Sequence, residues 1–66
     1  MDLTIEEMIV SAIQNPNKKF TCEEWVGNND YGYIFWDKTR HCFFDEDDYE
    51  YHIGTLTPKT EWREVE

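Results

Sequence analysis

The chain has 66 residues, 39% hydrophobic and 17% aromatic, with 15 acids against 6 bases and a formal net charge of −9. That length makes one domain, 1–66, with no room for a second, and the hydrophobic content is too high for a disordered tail. A field of this sign repels nucleic acid and anionic lipid and attracts basic surfaces.

Residues 1–20 open on a helix signal. Thr4 is a capping residue and Glu7 follows three positions later, which makes a capping box, while Leu3 and Met8 occupy the positions of a hydrophobic staple. Ile5, Met8, Ile9, Ala12 and Ile13 then form one apolar face at helical spacing. Asn15-Pro16 ends the helix, because the residue before proline is pushed out of the helical region. The expected helix covers residues 5–14 and is too short to stand alone, so it must dock. Met1 leads into this acidic segment rather than into a secretory signal, and no apolar run approaches the roughly 20 residues that span a bilayer.

The rest reads as short strands. Lys18 to Trp25 alternates through Phe20 and Cys22, and Gly27 to Asp30 ("GNND") is a turn cluster. Tyr31 to Trp36 ("YGYIFW") is the strongest strand signal, with Tyr31, Tyr33 and Phe35 on one face and Gly32, Ile34 and Trp36 on the other. Asp37-Lys38-Thr39 is a hairpin turn, His41 to Phe44 the returning strand, and Tyr49 to Ile53 a further one. Gly54 breaks that strand, Thr57-Pro58 opens a single helical turn, and Glu61 to Val65 closes the chain with Trp62 and Val65 as anchors. The expected fold is α+β: one N-terminal helix packed on a small antiparallel sheet of three to five strands. Most of Phe20, Trp25, Ile34, Phe35, Trp36, Phe43 and Trp62 must be core, since nothing else can fill it.

The stretch "AIQNPNKKFTCEEWVGNNDYGYI", Ala12 to Ile34, resembles a layout found in small phage-encoded proteins. A helix ends in a short turn, a Lys-Lys-apolar strand follows, a Trp-x-Gly comes five residues later, and an aromatic strand succeeds it before a terminal Trp-x-x-apolar, here Trp62 to Val65. In this layout the chain is similar to the Thoeris anti-defence two family. That resemblance implies a phage setting and an oligomeric sponge for a cyclic ADP-ribose signal. The chain departs from the pattern at Cys22, where a basic residue is usual, and at Glu24, where glycine is usual. No ligand-binding residue is carried over.

Signals for catalysis are sparse. Ser11 is the only serine and sits on the helix. Cys42 follows His41 directly, so on a strand the two side chains point to opposite faces. His41 and His52 read as surface strand residues. Cys22 and Cys42 lack zinc-site spacing and read as reduced thiols in a cytoplasmic protein, with a Cys22–Cys42 bridge as the alternative if their strands are neighbours. No catalytic residue, metal ligand or cofactor is assigned, and the expected class is non-enzymatic.

The remaining feature is "FFDEDDYEYHI", Phe43 to Ile53, which holds five acids and no base. An EF-hand loop needs a central glycine and a distal glutamate, which this run lacks. One reading is a solvated loop that keeps a sheet edge from aggregating. The other is a contact surface of Asp45, Glu46, Asp47, Asp48, Glu50, Tyr49 and Tyr51. Carboxylates flanked by aromatics imitate the regular charge and flat stacking surfaces of nucleic acid. Small acidic phage proteins that block host nucleases work in this way, and this chain looks like them in charge and size. The expected function is an acidic inhibitor, phage-encoded and acting in the host cytoplasm. Its target would be a basic surface of a host nucleic-acid-binding or defence enzyme, such as a CRISPR nuclease. A nucleotide-signal sponge, which requires a homo-oligomer, and a phage accessory or structural protein are the alternatives.

Overall fold

In the computed structural model, residues 2–28 and 31–65 are described. Helix α1 runs Ile5–Gln14, and its capping box is complete: the Thr4 hydroxyl accepts the Glu7 N–H at 3.1 Å and the Glu7 carboxylate accepts the Thr4 N–H at 2.8 Å. Asn15 closes the helix, its backbone N–H donating to the Ser11 carbonyl. Strand β1 (Lys19–Cys22) follows, then a six-residue helix α2 (Glu23–Asn28), then β2 (Ile34–Asp37), β3 (Cys42–Asp45), β4 (Glu50–Tyr51) and β5 (Trp62–Val65). The strands form one antiparallel sheet in the order β4-β3-β2-β1-β5. The fold is therefore α+β, a helix packed on a five-stranded antiparallel sheet with a second short helix.

Helix α2 replaces the end of the expected Lys18–Trp25 strand, for a reason of side-chain direction. Cys22 points into the core. Had the strand continued, its alternation would have sent Glu24 inward and Trp25 out to solvent. A helical turn reverses this. Trp25 is buried against Trp62, with ring centroids 4.8 Å apart, while Glu23 and Glu24 stay exposed at the helix N-terminus, where acids are favoured. Gly27 and Asn28 belong to this helix rather than to a turn, and Asn29 and Asp30 lie outside the described residues.

One face of the sheet carries the core. Phe20, Cys22, Ile34, Phe43 and Trp62 cluster there with Met8 and Ala12 of α1 and Trp25 of α2, and Trp36, Tyr51 and Ile53 pack at the edge. Of the expected helix face, Ile13 is 46% exposed and lies outside the core. The opposite face holds Phe35 and Phe44 side by side, with Tyr33 beyond them. Basic side chains lie over these rings: Arg40 sits 3.7 Å from the Phe44 centroid and Lys19 lies 5.0 Å from that of Tyr33. Such stems cover apolar surface while the charge stays wet.

Several strands are shorter than their alternation suggested. The segment Tyr31 to Trp36 becomes a strand only from Ile34, and Tyr31 joins Trp25 and Tyr51 instead of sharing a face with Tyr33. His41 is a turn residue with φ 57°, so the returning strand starts at Cys42. Strand β4 keeps only two residues of Tyr49 to Ile53. Thr57-Pro58 opens no helix. A turn across Gly54–Thr57 closes there, with Thr57 N–H donating to the Gly54 carbonyl at 3.0 Å and the Thr57 hydroxyl accepting from Gly54 N–H at 2.9 Å.

Candidate functional site

The acidic run forms the connection between β3 and β4, and its first residue does structural work. Asp45 is only 7% exposed. Its carboxylate accepts the backbone N–H groups of Asp47 at 2.9 Å and Tyr49 at 3.0 Å, and its own N–H donates to the Tyr49 carbonyl. These bonds fold the run into a tight turn in which Asp48 takes φ 64°, a conformation tolerated best by Gly, Asn and Asp. Asp45 is thus the staple of the loop, and the five carboxylates of the expected contact surface reduce to Glu46, Asp47, Asp48 and, on β4, Glu50, all exposed.

Those three carboxylates differ in their neighbours. Glu46 accepts the Gly32 backbone N–H, which ties the acidic loop to the segment leading into β2. A side chain at Gly32 would meet the Glu46 carboxylate, so glycine makes the approach feasible. Asp48 pairs with Arg40 at 3.2 Å, and Arg40 also pairs with Asp37 at 3.0 Å. Backbone N–H donation from Arg40, then its guanidinium and the Thr39 N–H, hold the Asp37 carboxyl below its ordinary value; the carboxylates of Asp37 and Asp48 raise Arg40. Beside the loop, Tyr49 is 70% exposed. Tyr51 is half-buried and donates its hydroxyl to Thr57, so its ring serves the aromatic cluster rather than an outer surface, and burial raises its pKa.

A groove of about 420 Å³ opens next to β4. Trp25, Tyr31 and Tyr51 line it, with ring centroids 4.8 to 5.4 Å apart. Glu24 and Glu50 supply its carboxylates, and Leu56, 95% exposed, stands on its rim with Pro58. His52 also borders it and lies 3.3 Å from Glu50. The alternation of residues 49–53 located Glu50 and Tyr51, and Tyr31 opened the expected Tyr31–Trp36 strand, but Glu24 and Leu56 carried no signal of a groove. Glu24 reaches it through α2, Tyr31 from the segment before β2, and Leu56 from the Gly54–Thr57 turn. A second recess, on the opposite sheet face, joins Lys19, Tyr33 and Phe35 to Asp45, Glu46 and Asp48.

Cys22 and Cys42 are both free. Strand β2 lies between theirs, so the alternative of a Cys22–Cys42 bridge between neighbouring strands does not apply. Burial pushes both thiols above their ordinary value. His41 and Cys42 stand at a turn and the start of β3, and His41 contacts the Trp36 ring. Among the described residues no group of three or more His, Cys, Asp and Glu side chains is arranged to hold a metal ion, and no helix is long and apolar enough to cross a membrane. No protein-family model, curated protein or solved structure matches the chain.

Proposed function

We propose that the protein is a small acidic inhibitor that occupies a basic surface of a nucleic-acid-binding protein. The observation that carries this reading is the stapled loop. Asp45 closes a turn that leaves Glu46, Asp47 and Asp48 exposed beside the ring of Tyr49, with Glu46 bonded to the Gly32 N–H and Asp48 paired with Arg40. Preorganised carboxylates lose little freedom when they meet Arg and Lys groups built for phosphates. A net charge of −9 adds long-range attraction to such a surface. The setting we propose is a phage protein acting in the host cytoplasm, with an RNA-guided or other defence nuclease as the first target to examine.

The sponge alternative needs a pocket that welcomes an anion. In the recess that contains Lys19, a phosphate would meet Asp45, Glu46 and Asp48, which argues for the protein-binding reading. An accessory or structural role in the virion has no particular feature in its favour.

The test is the combined variant Glu46→Gln, Asp47→Asn, Asp48→Asn, which keeps size, polarity and the Asp45 staple. Capture of partners from a bacterial lysate should fall by about tenfold or more, mainly through the association rate, and wild-type capture should weaken steeply with salt. Single neutralisations should do far less, since exposed pairs contribute only about 0.2–1 kcal/mol each. Capture that is unchanged in the triple variant would make the run a solvated loop.

A further inference from the structure

We propose that the groove between α2, β4 and the Gly54–Thr57 turn receives an arginine side chain of the partner protein. This inference rests on the protein-binding reading and gives it a second, chemically distinct anchor. The groove has the residue types that a guanidinium uses. The partly exposed Tyr31 ring, packed edge-to-face with Tyr51, supplies an aromatic wall, Glu24 and the His52-paired Glu50 supply carboxylates, and Leu56 stands on the rim beside them. Among the described residues no Lys or Arg lines the groove, so its carboxylates have no strong cation beside them there.

Three further points favour an occupant of this kind. Leu56 is 95% exposed at the rim of the groove, free to lie along the aliphatic stem of an incoming side chain. The aromatic wall is anchored at two points: Trp25 packs edge-on against the fully buried Trp62, and the Tyr51 hydroxyl is bonded to Thr57. A preformed wall spares the ordering cost that a flexible site would incur. Finally, Glu50 belongs to the same β3–β4 hairpin as the acidic loop, so one basic surface can engage both. Arginine suits the site better than lysine, since only its fork stacks on a ring and bonds a carboxylate in the same plane.

The full-length protein, labelled with nitrogen-15, should be titrated with N-acetyl-arginine amide, N-acetyl-citrulline amide and Nα-acetyl-lysine amide. Arginine should give saturable shifts at the Trp25 indole N–H and at the amides of Tyr31, Tyr51 and Leu56, in the millimolar range expected of one side chain. Citrulline, which has nearly the same shape without the charge, should bind about tenfold more weakly or less, and lysine should fall between them. Glu24→Gln with Glu50→Gln should abolish the shifts. Glu24→Gln alone, on the exposed side of α2, should weaken them without touching β4. Equal binding of citrulline or lysine would overturn the arginine assignment. Shifts confined to Glu46–Asp48 and unaltered by Glu24→Gln would overturn the site. The arginine titration requires no partner, and the lysate capture reads the acidic loop, so either reading can fail while the other stands.

Discussion

Asp45 and Tyr49 bond each other twice: the Asp45 N–H donates to the Tyr49 carbonyl at 2.9 Å, and the Asp45 carboxylate accepts the Tyr49 N–H at 3.0 Å. A residue counted as surface charge in the sequence therefore holds the loop closed. Asp45→Ala removes both carboxylate-accepted bonds of the turn and should cost about 2–3 kcal/mol, lowering the melting temperature by roughly 10–20 °C. Asp45→Asn keeps one acceptor oxygen and should cost less than about 1 kcal/mol. Thermal melts followed by circular dichroism check the pair. An alanine variant that melts with wild type would deny the staple.

The two tryptophans at the ends of the core should behave unequally. Trp62 is fully buried, stacks edge-on against Trp25, and donates its indole N–H to the Pro58 carbonyl at 3.1 Å. Trp62→Ala should cost about 3–5 kcal/mol, comparable to the whole stability of a domain this small. Trp36 is half-buried and lies edge-on against Phe43. Its truncation should cost about 1–2 kcal/mol. Chemical denaturation of both variants would reveal the ranking, and a less stable Trp36→Ala would reverse the placement of the core.

Asp37 gives a pH signature. Its carboxylate accepts the N–H groups of Thr39 at 2.9 Å and Arg40 at 3.1 Å and pairs with the Arg40 side chain, so its folded pKa lies below the ordinary 3.8. A depressed carboxylate contributes stability that is complete above its unfolded value and is lost as pH falls through the folded one. Asp37→Asn should be less stable than wild type at neutral pH, and the gap should close on acidification below about pH 4. Melting curves of the two proteins across that range supply the comparison. A gap that persists at the lowest pH would assign the loss to geometry instead of charge.

The thiols should react in a fixed order. Strands β1 and β3 are separated by β2, a spacing of about 9–10 Å, beyond the roughly 7 Å that a disulfide can bridge. Cys22 is buried and Cys42 half-buried, and burial raises both thiols above 9.0. Iodoacetamide at mildly alkaline pH should label Cys42 first and Cys22 only as the protein unfolds. Peptide mapping by mass spectrometry reads the order. Prior labelling of Cys22, or an intrachain disulfide formed under mild oxidation of the folded protein, would contradict this topology.

Local chemistry made helix α1 legible. Thr4, Glu7 and Asn15-Pro16 mark its two ends within a few residues of themselves, and its bounds, Ile5–Gln14, match that reading. The hairpin of β2 and β3 was legible for the same reason, since Asp37 and its turn act at short range. Trp25 was not, because alternation alone continued the strand. Only the position of Trp62, 37 residues further along the chain, makes a helical turn at Glu23 the better way to bury it. Asp45 likewise read as one more acid. Its burial depends on where β3 ends and the backbone N–H groups of the turn converge. The groove of Tyr31, Tyr51, Glu24 and Glu50 joins three segments with no common motif. Charge, composition and the caps are properties of neighbours in sequence, so the amino-acid order by itself determined the class of fold and its acidic character. Which carboxylates face solvent and which rings share a wall are set by contacts between distant segments, and only the tertiary structure decided them.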